Sequence, residues 1–372
     1  MTNLFSAIDH VHMAHALRLA ERGLFTTQPN PRVGCVIARD DQILGSGWHV
    51  RAGGPHAEVF ALNEAGARAR GATAYVTLEP CAHFGRTPPC ADALVAAGVA
   101  RVVIAHGDPF ADVDGRGIVA LRGAGIRVES GLLSTAAREL NRGFFSRVER
   151  GRPWVRIKLA MSLDGRTALA NGVSKWITGE AARADVQRWR ARSSAILTGI
   201  GTVLADDPGL TLRPPDAVAF PDIDPIAPLR VILDRNLRTP ANAQVLDGMA
   251  PTLVIHARDV QPIDQRFDRV ELAPVEIRGD NLDLDPVLAL LGQRGVNEIQ
   301  VEAGPRLCGA LFGAGLVDEV LLYIAPVLLG DAARPLMALP VLDDMAARWK
   351  LGTFDQRMCG QDWRLLLRPL EH

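Results

Sequence analysis

Short apolar segments with the length of buried strands alternate with segments of helical spacing along the chain. Residues 6–22 show helical spacing, and two strand-like runs, 33–37 and 43–44, follow with a polar turn between them. A helix is predicted from Pro55 to about Arg70, because Pro favours the first helical position. Further predictions are a strand at 75–78, a helix at 90–97 and a strand at 101–105. Such alternation predicts helices on both faces of a sheet, an α/β/α sandwich.

The same alternation restarts after Gly151-Arg152-Pro153, beyond a helix-like segment around 135–142. The predicted strands there are Trp154–Ala160, Ala195–Gly199, Leu229–Asp234, Thr252–His256, Glu298–Glu302, Glu319–Ala325 and Trp363–Arg368. The predicted helices are Glu180–Ala191, Leu284–Arg294 and Pro305–Ala314. The Pro- and Asp-rich stretch 214–228 is predicted to be a surface loop. We therefore expect two α/β domains, 1–150 and 151–372; a single α/β domain is the alternative.

Composition argues against several classes of protein. The 372 residues carry a net charge of −1, divided as +2 and −3 between the predicted domains, so neither has the basic excess that non-specific nucleic-acid binding requires. No uncharged apolar run reaches about 18 residues, and the N-terminus lacks the basic-then-apolar order of a signal peptide. We therefore expect a cytoplasmic protein without a membrane partner. Five cysteines, an odd number, favour metal ligation or packing over a disulfide framework.

A metal-binding pattern lies in the first predicted domain. His56, Cys81 and Cys90 offer one imidazole and two thiolates, which suit zinc and leave a fourth position open for water. Zinc lowers the pKa of a bound water toward about 7, and Glu58 is placed to carry protons from that water to a leaving amine. H-x-E followed by P-C-x-x-C is the pattern of zinc deaminases, in which the Glu is not a ligand. Here eight residues, rather than two, separate Cys81 from Cys90.

Two other interpretations of this pattern stay open. His83 could replace one cysteine as a ligand, or the three residues could be ordinary members of a core. The polar insert between the cysteines also carries Arg86 and Thr87, which could contact a ribose phosphate.

The run Thr77-Leu-Glu-Pro-Cys-Ala-His-Phe-Gly-Arg-Thr-Pro-Pro-Cys90 resembles the deaminase half of the bifunctional riboflavin-biosynthesis deaminase/reductases. Pro29-Asn-Pro-Arg-Val-Gly-Cys35 is similar to the N-terminal substrate loop of that family. The resemblance implies a cytidine deaminase-like domain in which Asn30 contacts the pyrimidine near the metal. From the residues alone, 29–31 could equally be a turn before a strand.

Motifs for catalysis or ligand binding are less evident in the second predicted domain. It has no G-x-G-x-x-G after a strand, so the Rossmann fingerprint is absent. Polar or Gly-rich clusters fall at predicted strand ends instead, and each could be only a turn or a cap. They begin at Ser162, Ser174, Gly199, Ala205 and Glu302. The backbone amides of Gly304–Ala310 could cradle a cofactor phosphate.

As a set these clusters resemble the reductase half of the same family, a relative of dihydrofolate reductase, which implies NADPH as hydride donor. The residues that the resemblance places at the cofactor are Ala160, Trp176, Thr202, Asp206, Gly304, Pro305, Arg306, Leu307, Cys308, Gly309 and Ala310. Arg235, which follows the predicted strand Leu229–Asp234, is a candidate for the cofactor's 2′-phosphate, although the family position there is often a smaller polar residue. Those it places at the substrate are Ser174, Arg190, Leu210, Arg213 and Glu302. Arg190 and Arg213 suit phosphate, because guanidinium binds phosphate oxygens bidentately. Lys158 could face the site or solvent, and the role of Asp164 stays open.

The resemblance implies consecutive reactions on a phosphoribosyl-aminopyrimidine. The first domain would deaminate 2,5-diamino-6-ribosylamino-4(3H)-pyrimidinone 5′-phosphate, with zinc as cofactor. The second would reduce the ribosyl group to ribityl, with NADPH as cofactor. We also expect a homo-oligomer. The alternatives are a nucleic-acid deaminase, which the near-neutral charge opposes, and a binding protein whose second domain keeps the fold without hydride transfer.

Overall fold

The structure is a computed structural model that describes residues 5–82, 89–111, 113–213 and 224–370. The chain divides into two compact units, one ending at Gly151 and the other beginning at Arg152, with Asp224 and Pro225 grouped with the first. In the described parts of the chain no helix is long and apolar enough to cross a membrane.

The first unit is built on a five-stranded sheet. Its helices and strands are α1 (Ala7–Glu21), β1 (Gly34–Arg39), β2 (Gln42–Trp48), α2 (Ala57–Ala65), β3 (Thr73–Val76), α3 (Cys90–Ala97), β4 (Arg101–Ile104), α4 (Arg116–Gly123), β5 (Arg127–Ser130), α5 (Ser134–Leu140) and α6 (Arg142–Arg150). The strand order is β2-β1-β3-β4-β5. Strand β1 is antiparallel to β2 and β3, and the pairs β3–β4 and β4–β5 are parallel.

Alternate residues of the interior strand β1 face two different cores. Cys35 and Ile37 pack with α2, α3 and α4, whereas Val36 and Ala38 pack with α1 and α5. Because successive side chains of a strand point to opposite faces of the sheet, the apolar strand β1 packs against the helices on both faces. The predicted α/β/α sandwich is confirmed. A Cβ at Gly47 of β2 would lie 2.5 Å from the carbonyl oxygen of Ala57, so this glycine lets the first turn of α2 lie directly on the sheet.

The second unit is built on a nine-stranded sheet. Its main elements are β6 (Trp154–Ser162), β7 (Arg166–Ala168), α7 (Glu180–Arg192), β8 (Ala195–Gly199), α8 (Ile200–Asp206), β9 (Leu229–Leu233), β10 (Thr252–Ala257), β11 (Glu271–Val275), β12 (Ile277–Arg278), β13 (Asn281–Leu282), α9 (Leu284–Gln293), β14 (Glu298–Val301), α10 (Pro305–Gly313), β15 (Glu319–Ala325), β16 (Arg334–Pro335), β17 (Leu351–Cys359) and β18 (Asp362–Pro369). The strand order is β11-β10-β9-β8-β14-β6-β15-β18-β17. The first seven strands in this order, β11 through β15, are parallel to one another.

Helices cover both faces of this sheet, α9 and α10 on one side and α7 and α8 on the other. The parallel strands therefore have two buried faces, as their near-continuous apolar sequences require. All seven strands and three helices predicted for this part of the chain are present, within two residues at each end. Residues 224–228 of the predicted loop form neither helix nor strand, and 214–223 lie outside the described residues.

Candidate active sites

Three elements of the first unit bring His56, Cys81 and Cys90 together. His56 is the N-cap of α2, Cys90 is the first residue of α3, and Cys81 lies in the segment after β3. Their ligand atoms all lie within 4.8 Å of one another. His56 Nδ1 is 3.2 Å from Cys90 Sγ and 3.6 Å from Cys81 Sγ.

These distances fit a shared metal ion. Zinc bonds of about 2.3 Å to sulfur and about 2.0 Å to nitrogen, at tetrahedral angles, separate such ligand atoms by about 3.5 Å. The hydrogen bond from Cys90, with His56 close by, lowers the pKa of Cys81 to about 4, whereas the same interaction and burial raise the pKa of Cys90. A divalent cation favours the thiolate form of a coordinating cysteine, so it would stabilise both sulfurs as anions.

Glu58 lies beside this cluster, two residues after His56. Its side chain is 3% exposed, and its Oε2 atom is buried without a hydrogen-bond partner among the described residues. Burial raises the pKa of Glu58, although the neighbouring His56 opposes the shift. A buried carboxylate oxygen without a partner is costly, so its position at the cluster is best explained by a ligand that donates a proton to it.

Asn30 is linked to the same cluster through a residue that sequence reasoning missed. His49 is buried, and its ring lies edge-on to His56 at 5.3 Å between centroids. Its Nδ1 is 3.0 Å from the carbonyl oxygen of Pro55, which can only accept, so Nδ1 carries the proton. Nε2 is therefore free to accept from Asn30 Nδ2 at 3.1 Å. His49 belongs to no local sequence motif, so only its hydrogen bond with Asn30 identifies it as part of the site.

The structure describes Ala82 and Pro89 of the insert between the cysteines. His83, Arg86 and Thr87 lie outside the described residues.

In the second unit, a charged cluster lies at the carboxyl ends of the central strands. The Arg190 guanidinium pairs with Glu302 through two hydrogen bonds of 2.6 and 2.7 Å, and its third donor reaches the carbonyl oxygen of Thr211 at 3.0 Å. Despite burial, Arg190 lowers the pKa of Glu302 to about 2. Burial lowers the pKa of Lys158, and the charge of Glu302 opposes this effect. Lys158 is half-buried in β6 and close enough to Glu302 for the two charges to interact.

The remaining predicted residues occupy several positions around that edge. Ala160 lies near the end of β6, Thr202 and Asp206 lie at opposite ends of α8, and Ser174 is half-buried between β7 and α7. Trp176 is 65% exposed, with the Arg183 guanidinium 4.7 Å from its ring.

Two arginines among the predicted site residues, Arg213 and Arg235, make different hydrogen bonds. Arg213 is exposed, and its backbone N–H donates to Gln187 Oε1. The Arg235 guanidinium donates to the backbone carbonyl of Asp280. Asp164 accepts from Ser162 Oγ and from the N–H groups of Leu329 and Gly330, so it ties two loops together.

The last predicted residues of this unit lie at the start of α10 and in the core beside α8. Gly304 is the N-cap of α10, and residues 305–310 form its first turns, which agrees with the helix predicted from Pro305. Cys308 is buried, and a Cβ on Gly309 would overlap the carbonyl oxygen of Ala338, so both face the interior. Leu210 packs in the core against α8.

Comparisons with known proteins give one consistent result. Residues 6–106 match the cytidine and deoxycytidylate deaminase zinc-binding region, and residues 153–360 match the RibD C-terminal domain. The riboflavin biosynthesis protein RibD of Escherichia coli is 50% identical over 91% of this chain and 93% of its own, and that of Haemophilus influenzae is 46% identical over 98% of each.

Two solved structures cover nearly the whole chain. Acinetobacter baumannii RibD superposes with a TM-score of 0.90 at 47% identity, covering 98% of this chain and 99% of its own. A Thermotoga maritima diaminohydroxyphosphoribosylaminopyrimidine deaminase/5-amino-6-(5-phosphoribosylamino)uracil reductase superposes at 0.83 with 31% identity and the same coverage.

Proposed function

This chain belongs to the RibD family of bifunctional riboflavin-biosynthesis deaminase/reductases, and we propose which substrate each unit takes and which residues act on it. The first unit, residues 1–150, deaminates 2,5-diamino-6-ribosylamino-4(3H)-pyrimidinone 5′-phosphate. The second, residues 151–372, reduces the ribosyl group of the product to ribityl. The observation that carries the proposal is the buried Oε2 of Glu58, which has no hydrogen-bond partner in the described part of the chain and lies beside His56, Cys81 and Cys90.

In the deaminase site the three ligands hold zinc, which when bound supplies a Lewis acid that acidifies water. Glu58 accepts the proton of that water and passes it to the leaving amine. Because burial raises the pKa of this carboxyl, its protonated form is easier to reach than that of an exposed glutamate. Asn30, oriented by His49, contacts the pyrimidine ring.

In the reductase site NADPH, when bound, supplies the hydride. Ligands of parallel sheets bind beyond the carboxyl ends of the strands, where Gly304 starts α10 and Thr202 lies in the first turn of α8. Arg190 and Glu302 hold each other in place at the same edge, and Lys158 adds a positive charge beside them. We assign the substrate to this group, together with Ser174 and Arg213.

Replacing Glu58 with Gln tests the proposal. The variant keeps the size of the side chain but cannot carry the proton, so we expect full zinc content, a fall of about 10²-fold or more in ammonia release, and unchanged reduction. Zinc is measured by elemental analysis, deamination by ammonia release, and reduction by NADPH absorbance at 340 nm with the deaminated substrate supplied. Normal ammonia release from the variant would overturn the role of Glu58.

Two further features belong to this proposal. We assign the enzyme to the cytoplasm, since a centre with two thiolate ligands needs a reducing compartment. We also propose a homo-oligomer, whose protomer number light scattering would measure.

A further inference from the structure

Glu79 is a buried carboxylate that the proposed chemistry does not use. It lies two residues before Cys81, and its side chain is 5% exposed. One carboxylate oxygen accepts from the N–H of Gly115 and the other from that of Ile118, both at 3.1 Å. Gly115 is the N-cap of α4, so Glu79 satisfies amides at the start of a helix that lies far away in the sequence.

The first turn of α4 also lies directly against the residue between Glu79 and Cys81. A Cβ on Gly117 would overlap the carbonyl oxygen of Pro80. The backbone N–H of Glu79 donates to the carbonyl oxygen of His106 at 3.0 Å, which fixes the segment from a third direction.

The metal ligand Cys81 lies two residues after Glu79. The carbonyl oxygen of Cys81 accepts from the N–H of Ala91 at 3.1 Å, and its Sγ accepts from the N–H of Cys90 at 3.4 Å. Cys81 is thus held by α3 on one side and, through Glu79 and Pro80, by α4 on the other. Cys90 lies in α3 and His56 is the N-cap of α2, whereas Cys81 neither belongs to nor caps a described helix or strand, so its position depends on these contacts.

We propose that Glu79 is a positioning residue for the metal centre: it anchors the 79–81 segment to the start of α4, and this anchor holds the Cys81 thiolate at the distance that His56 and Cys90 require. The inference rests on the zinc site of the proposed function. Both carboxylate oxygens of Glu79 accept from backbone amides of α4, so its effect is on metal affinity and ligand geometry.

Two substitutions test the anchor from opposite sides. Glu79→Ala removes the carboxylate, and Gly117→Ala keeps it but pushes Pro80 away. Gly123→Ala is the matched control. Gly123 lies in the same helix and, apart from its chain neighbours and its own helix backbone, no atom of the described residues lies within 4 Å of a Cβ built there. Glu64→Ala is the control for Glu79, since Glu64 also accepts a backbone amide, from Ser46, at an exposed position.

Zinc affinity of the full chain is measured by competition with a chromogenic chelator, and cobalt(II) substitution reports ligand geometry through its visible absorption. Outer residues of this kind typically change metal affinity 10- to 100-fold. We expect at least tenfold weaker zinc binding and an altered cobalt spectrum in Glu79→Ala and Gly117→Ala, with both controls like the wild type.

Unchanged zinc affinity and cobalt spectra in both anchor variants would overturn the inference. If Glu79→Ala does not fold, Glu79→Gln decides: it retains one acceptor and should show a smaller loss of affinity than Gly117→Ala, and wild-type affinity in both would again refute the role. A wild-type chain that binds no zinc would refute the proposed function instead, so the two failures are distinguishable.

Discussion

At the scale of single residues, the Arg190–Glu302 pair has a defined dependence on pH. Its carboxyl has a pKa of about 2, below the unfolded value of about 4.3. A depressed pKa stabilises the fold above the unfolded value, and this contribution is lost as the pH falls from about 4.3 toward 2. We expect Glu302→Gln to lower the free energy of unfolding by about 2 kcal/mol at pH 7, and by progressively less at pH 4 and 3.

Urea unfolding followed by tryptophan fluorescence measures this difference, because five of the six tryptophans lie after residue 151. Glu271→Gln is the control, since the Glu271–Arg294 pair is much more exposed and should contribute about 0.5 kcal/mol or less. An equal effect of Glu302→Gln at pH 7 and pH 3 would contradict the assigned pKa.

Sequence analysis could identify the site residues that fall within short motifs of neighbouring residues. His56, Glu58, Cys81 and Cys90 fall in short motifs, and the structure brings all four together. His49 falls in no such motif, and Glu79 lies in the Thr77–Cys90 run without any sign of its role there, because the partners of both residues lie elsewhere in the chain. Likewise, Arg190 and Glu302 were both expected at the substrate, but their mutual ion pair joins residues 112 apart and could not be inferred from spacing.

At the scale of elements, β6 carries a buried charge that holds three central strands together. Arg156 is fully buried and pairs with Glu298 of β14 at 2.8 Å and Glu319 of β15 at 2.6 Å, with its guanidinium over the ring of Trp189 on α7. We expect Arg156→Ala to destabilise the second unit by about 3–5 kcal/mol, since two carboxylates lose a buried partner. The same urea titration measures this loss.

Arg258→Ala provides the comparison, because its ion pair with Glu276 is exposed and should contribute about 0–1 kcal/mol. Similar stabilities of the two variants would show that the buried network contributes little beyond an exposed pair.

The strands that sequence analysis found and those it missed differ in burial. Strands β8, β9, β14 and β15 are almost entirely buried, so their apolar runs are unmistakable. Strand β17 is at the sheet edge and is largely exposed, so it has no apolar period to detect. The two-residue strands β12, β13 and β16 are too short for any pattern. Burial, more than intrinsic propensity, decided which elements were predictable.

At the scale of the whole molecule, the two activities are assigned to separate units with separate cores. The described metal ligands all belong to the first unit, and the Arg190–Glu302–Lys158 cluster belongs to the second. Removing zinc from the full chain with a chelator should therefore abolish ammonia release and leave NADPH oxidation of the deaminated substrate within about twofold. Restoring zinc should restore deamination, because His56, Cys81 and Cys90 are held by elements of a folded sandwich. Loss of both activities on chelation, with the far-UV circular dichroism unchanged, would instead mean that the reductase depends on the metal centre.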